Sequence, residues 1–313
     1  ITTTGAEFRD NPTGQFAQPI LNGAPCTNVN KSTSDTDAIF KLNATYKFSD
    51  DALVYVTWSR GFRPGGINRR GTLPPYGSDK LDNYELGWKL GSGGFRFNGA
   101  IYQEDWNNIQ LSFLGANGLT EIRNAGIARI RGVESDIGYS AGGLTFSTGF
   151  SYNDAEIRED FCRIATPDFN CTAPAGNVTL APAGSRLPVT PKFKGNALVR
   201  YEFPLGSWDG HFQFSVQRTS GRKSDLRPAQ NRIKGNLPGY TTADFSIGMK
   251  DDVWGIEAFV TNLFDTRGVV NTGVQCLETV CGTGVTPATP TGGAFYDVVI
   301  KPRIIGLKVS RDF

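Results

Sequence analysis

Two groups of basic side chains have the composition of an anion-binding surface. Arg60, Arg63, Asn68, Arg69 and Arg70 crowd into one stretch, and Arg123, Arg129 and Arg131 form a second. Guanidinium forks match carboxylate, catecholate or phosphate oxygens in pairs, so both groups suit an anionic ligand. A solvated loop and water-facing strand charges account for the same residues without one. Asp154, Glu156, Glu159 and Asp160 precede Cys162 but lack the regular ligand spacing of a calcium loop.

Catalytic chemistry finds little to work with. His211 is the single histidine, which excludes multi-histidine metal sites and leaves one candidate base. It lies beside a short turn, a poor place for a Ser–His hydrolase site. Gly91-Ser92-Gly93-Gly94 lacks the spacing of a phosphate loop and joins two strands, so it reads as a turn. Glu85, Glu134, Asp136 and Glu257 stand singly on separate strands, with no carboxylate pairing to claim. The expectation is a protein that is not an enzyme and holds no cofactor.

Five cysteines complete the inventory. Cys162 with Cys171 and Cys276 with Cys281 each fall inside one long polar segment, while Cys26 is left over. No C-x-x-C pair favours zinc. Two local disulfides are the expectation, and they imply an oxidising compartment.

These side chains must be positioned by strands. The dominant period is two: Phe40, Leu42, Ala44, Tyr46 and Phe48 alternate with Lys41, Asn43, Thr45 and Lys47, and Phe193–Phe203 repeats the pattern. About eleven strands follow, at 34–48, 52–63, 80–90, 95–107, 128–140, 144–158, 190–203, 211–222, 239–250, 253–264 and 295–312. Short turn-like joints alternate with long connections at about 64–79, 114–127, 159–188, 221–238 and 265–294. An antiparallel meander then carries every tight turn at one end and every long loop at the other. A soluble sandwich has no reason for that asymmetry, whereas an outer-membrane barrel has it, with aromatic girdles. Trp58, Trp88, Trp106, Trp208 and Trp254 fall toward strand ends, as girdle anchors do.

Composition agrees. Of 313 residues 38 are Gly, well above the usual share of roughly 7%, and no apolar run reaches the roughly 20 residues of a membrane helix. Thirty-two Lys and Arg against 30 Asp and Glu leave +2, with no bulk charge calling for nucleic acid. ITTTGAEFRDNP has neither a basic n-region nor an apolar h-region. Bacterial single-chain barrels have even strand numbers. Either Thr3–Phe8 begins a twelfth strand or the chain is part of a larger barrel.

Several stretches bear on this choice. YVTWSRGFRPGGIN (55–68), LDNYELGWKL (81–90), NAGIARIRGVESDI (124–137), TNLFD (261–265) and the terminal PRIIGLKVSRDF resemble, in order and spacing, the C-terminal half of TonB-dependent outer-membrane receptors. The resemblance spans about residues 33–313. It implies an all-β transmembrane antiparallel up-and-down barrel, of which this chain supplies about eleven C-terminal strands of twenty-two. Residues 1–33 are then an extracellular loop or strand stub, and 34–313 the barrel part. The plug and the TonB box that the family carries are not recognisable here, so both are expected outside this chain.

The resemblance further implies a Gram-negative outer-membrane location and uptake of a scarce ligand, a ferric siderophore or similar metal chelate by family frequency. The implied partners are the TonB–ExbB–ExbD energy complex through the plug, outer-membrane lipid, and the barrel-assembly machinery. Leu307, Val309 and terminal Phe313 share one face, as in the C-terminal signal that machinery reads, with Arg311 interrupting it. A passive twelve-stranded pore and a surface scaffold or adhesin are the alternatives.

Overall fold

The computed structural model describes residues 32–68, 74–114, 120–162, 171, 178–274 and 295–311. Eleven strands form one antiparallel sheet in chain order. They are β1 (Phe40–Ser49), β2 (Ala52–Arg63), β3 (Asp79–Ser92), β4 (Phe95–Asn107), β7 (Ile127–Ala141), β8 (Leu144–Ile157), β11 (Phe193–Leu205), β12 (Trp208–Thr219), β13 (Tyr240–Lys250), β14 (Trp254–Thr261) and β17 (Ile304–Arg311). Three hairpins lie within the long connections: β5 (Gln110–Leu114) with β6 (Thr120–Asn124), β9 (Phe161–Cys162) with β10 (Thr179–Ala181), and β15 (Val269–Val274) with β16 (Phe295–Val299). One helix, α1 (Pro228–Lys234), sits between β12 and β13. The ring is not closed, because β1 and β17 each have a single neighbour.

The meander is as expected, and two strand limits are corrected. The strand expected at 34–48 begins at Phe40. The one expected at 295–312 is two elements, because Pro302 lacks a backbone donor and separates β16 from β17.

Tight turns close one end. Gly93-Gly94 and Gly142-Gly143 all have positive φ, as the twist-matched two-residue hairpin turn requires. Register then assigns every side chain to a face. Leu42, Val56, Leu86 and Ile101 sit on one face, with Phe150, Phe212, Ile247, Ile256 and Leu307, all exposed. Tyr55, Glu85, Glu134, Asn153, Gln213 and His211 alternate onto the other. An exposed apolar band on one face and a polar opposite face make the first the lipid side and the second the lumen.

Glycine makes room on the lumenal face at two cross-strand positions. A Cβ at Gly87 would stand 2.2 Å from the Tyr55 ring, and one at Gly132 would stand 2.5 Å from the Tyr102 ring. Each glycine is the register partner of its tyrosine. The flattened rings reach polar partners: the Tyr55 hydroxyl donates to Glu85 at 2.7 Å, and that of Tyr102 to Asn153. Replacing Gly132 by Val forces the Tyr102 ring off its site. Overpacking of this kind costs roughly 1–3 kcal/mol. The expected outcome is a lower melting temperature in detergent and earlier loss of folded-barrel gel mobility on heating, while Ser151→Ala, on the same face, leaves both unchanged.

Candidate functional site

The long connections fold back onto the lumenal face at the end opposite the tight turns. Ala128, Ala155 and Ile157, on the lumenal side of β7 and β8, pack with Ile109, Phe161, Ala181, Leu187 and Leu226 from the loops. Phe113 of β5 stacks on Phe161 of β9 at 5.2 Å between ring centroids. The mouth is therefore partly roofed by a small hydrophobic core of its own. The expected disulfide between Cys162 and Cys171 is present, with 5.7 Å between Cα atoms. Cys26, Cys276 and Cys281 lie outside the described residues.

Helix α1 docks on this core through charge. Arg227 lies 4.6 Å over the Phe113 ring and pairs with Asp225, which also takes Lys234 at 3.1 Å. Buried Asn231 accepts from the Ser224 amide at 2.9 Å. Burial pushes the Asp225 carboxyl up, but the Arg227 hydrogen bond and the charges of Arg227 and Lys234 outweigh it, so its pKa sits below the ordinary value. Pro228 opens the helix where its missing N–H costs nothing.

The structure distributes the expected ligand residues differently from the sequence reading. Arg63 is a clamp: it pairs with buried Asp79, which also accepts from the Gln110 amide at 3.0 Å. Asn68 is a strap, donating to the Ile122 carbonyl at 2.9 Å and accepting its amide at 2.7 Å. Arg123 lies on β6, in the loop hairpin rather than a barrel strand, beside Glu121.

Arg60, Arg129 and Arg131 are a correction, because they do not face the lumen. Register places them on the lipid side, at its outer end. Arg60 grips Asp82 with two hydrogen bonds of 2.8 and 3.0 Å, and Arg129 pairs with Asp105 at 2.5 Å. A strict count of two from the apolar Val54, Val56 and Trp58 signals the outward position of Arg60. Arg69 and Arg70 lie outside the described residues, as do Phe313 and most of residues 1–33. No metal-holding group of His, Cys, Asp and Glu occurs among the described residues.

One site was missed by sequence reasoning. Asn262, buried at the exit of β14 with φ +51°, donates to the Thr266 and Lys301 carbonyls at 3.0 and 3.1 Å. Asp265 accepts the Arg303 amide at 3.0 Å. The Asn-Leu-Phe-Asp stretch thus ties the end of β14 to the start of β17.

A two-faced meander with a loop-roofed lumen is the wall of a wide membrane barrel. The family model for the TonB dependent receptor-like β-barrel matches residues 7–263. The chain belongs to this family. Among solved structures, the receptor chain is similar to the ferric yersiniabactin uptake receptor FyuA from Yersinia pestis (21% identity, TM-score 0.66, 87% of this chain and 37% of that one). It also resembles the ferric-catecholate import receptor Fiu from K12 E. coli (17% identity, TM-score 0.61, 95% and 37%). A third is the siderophore receptor PiuA from Acinetobacter baumannii (14% identity, TM-score 0.60, 87% and 35%). At these identities the likeness concerns the fold, and the chain spans about 37% of the first structure's length. Membership places the receptor chain in the outer membrane of a Gram-negative bacterium.

The Asp225 cluster yields a prediction with a definite sign. A carboxyl whose folded pKa is depressed contributes stability above its unfolded value, lost as pH falls through the folded one. Docking of residues 224–236 should hold from pH 7 to about 5 and loosen below about 4. Asp225→Asn leaves two cations facing each other at any pH. Breaking one partner of a buried pair costs ~3 kcal/mol, or a roughly 100-fold rise in local opening. Amide hydrogen exchange of α1 reads both effects.

Proposed function

We propose that this chain is the C-terminal barrel wall of a receptor for TonB-dependent uptake of a scarce anionic ligand, a ferric chelate before other classes. The single observation behind this reading is the loop core on the lumenal face. It furnishes a built mouth above a polar wall, and the family is one of energised receptors. The similar structures named above are a ferric yersiniabactin uptake receptor, a siderophore receptor and a ferric-catecholate import receptor. In this reading the metal is cargo, carried by its chelator. Residues 34–313 belong to a twenty-two-stranded ring, and the plug through which the TonB–ExbB–ExbD complex acts comes from polypeptide outside this stretch. The barrel-assembly machinery reads Leu307, Val309 and Phe313. The first two are outward-facing and exposed on β17.

Loop cations are the capture residues in this proposal: Arg69, Arg70 and Arg123, with Arg232, which is exposed on α1. Deleting the gene should abolish growth on one ferric chelate of a panel under iron limitation, and a strain lacking TonB should lose the same chelate. Uptake that persists without TonB, or steady ion conductance through the purified receptor, overturns the energised mechanism. In the intact receptor, Arg232→Glu should weaken binding of that chelate about tenfold, or ~1.4 kcal/mol, with an unchanged melting temperature. Equilibrium fluorescence quenching measures it.

A further inference from the structure

Neither element that carries a capture cation can hold its own place. Helix α1 has seven residues, no side-chain hydrogen bond capping its start and no acidic residue in its first turn, and a helix that short is marginal in water. Strands β5 and β6 have five residues each and form a two-stranded sheet of their own, which is marginal too. Their placement comes from what they touch. Leu226, ahead of α1, packs in the roof core, as do Ile109 and Leu111 at the start of β5. Apolar burial is non-directional, so it keeps these segments together without fixing how they are turned.

Orientation is supplied at one ring. Phe113 of β5 stacks on Phe161 of β9 with 14° between the ring planes, and the Arg227 guanidinium lies 4.6 Å over it. Three long connections thus meet on a single side chain, and each partner is itself held. Phe161 precedes Cys162, which is tied to Cys171. The Arg227 fork is fixed by Asp225 through hydrogen bonds of 3.0 and 3.1 Å. Lys234, at the far end of α1, reaches the same carboxylate at 3.1 Å. The helix is bracketed at both ends by one carboxylate, whose first cation rests on Phe113, and Arg232 is exposed between them. On the hairpin, Glu121 is the register partner of Phe113 and pairs with Arg123.

We propose that Phe113 is the positioning residue for capture: its ring holds the α1 connection, with Arg232, and the β5–β6 hairpin, with Arg123, in one arrangement before the chelate arrives. Phe113 touches no ligand and acts through the two cations. The inference rests on the capture reading given above for Arg123 and Arg232. A ring is required, because a cation–π contact and a ring stack constrain angle as well as distance. Cations held in place in advance bind an anion without the cost of ordering loops on contact. An aliphatic side chain of similar bulk fills the space and supplies neither constraint.

The test is a pair of measurements on the intact receptor in detergent, with Phe113→Leu, Phe113→Tyr and Arg232→Glu. Amide hydrogen exchange comes first and needs no ligand. Phe113→Leu should raise opening of residues 224–236 and of the β5–β6 hairpin together, about tenfold, with unchanged heat-modifiable mobility. Phe113→Tyr keeps the ring and should exchange as the wild type does. Equilibrium binding follows, with a ferric catecholate, a ferric hydroxamate and ferric citrate as probes. For the chelate that binds, Arg232→Glu should cost about tenfold in the wild type and about twofold or less in Phe113→Leu, where the cation is no longer held in place. Unchanged exchange at α1, a rise confined to β5–β6, an equal rise in Phe113→Tyr, or the same cost of Arg232→Glu in both backgrounds overturns the proposal. Arg232→Glu without effect, or no probe bound at all, overturns the capture reading instead, and the exchange result still decides whether Phe113 holds the two elements.

Discussion

Backbone pairing in hydrocarbon governs this molecule. An amide or carbonyl left without a partner in the bilayer core costs several kcal/mol, and only helices or closed barrels avoid it. Eleven strands pair in chain order, so nearly every backbone group is satisfied by an immediate neighbour. The exceptions are the outer edges of β1 and β17. In the membrane those edges need strands of their own, which is why an odd, open sheet is comprehensible as a wall segment and not as a finished pore.

Closure by neighbour pairing leaves the side chains free to answer two solvents. Along β2, Val54, Val56 and Trp58 meet lipid while Tyr55 and Thr57 meet the lumen. The motifs that carry the family resemblance acquire physical content from this alternation. In Asn83-Tyr84-Glu85-Leu86-Gly87, Glu85 receives the Tyr55 hydroxyl and Gly87 admits its ring. In Arg131-Gly132-Val133-Glu134, Gly132 does the same for Tyr102 while Arg131 points outward. One motif therefore serves both faces. A glycine supplies no side chain to a strand, and the tyrosine opposite restores the missing cover.

Strand number, order and the one-sidedness of the loops were legible in the sequence because period two and Gly-Gly turns are local signals. Less legible was anything decided across the mouth. The β5–β6 and β9–β10 hairpins are too short to show periodicity, and α1 is a seven-residue helix marked locally by little more than Pro228 at its start and Gly235 after its end. Their stability comes from Ile109, Phe161 and Leu226 packing against Ala128 and Ile157, contacts between distant segments. Arginine type pointed to anion binding. Arginine parity, counted from Val56 or Val133, decides which medium Arg60 and Arg131 meet. The carboxylates that neutralise Arg60, Arg63 and Arg129 sit one strand away, in register, and become visible only when strands are paired.

The outer end of the wall is where lipid, lumen and external water meet, and the structure treats its charges accordingly. Toward the lumen, cations are absorbed into clamps such as Arg63–Asp79 and Arg227–Asp225, which hold loops against the mouth. Such pairs are half-shielded from water, so they fix position even where their net contribution to stability is small. Toward lipid, charge on β2 to β8 at this end stands at the Trp58–Tyr84 level and above, and pairing in rows lets neighbouring strands carry most of it. Arg131 departs from that rule: it pairs with a neutral amide, that of Gln103, instead of a carboxylate.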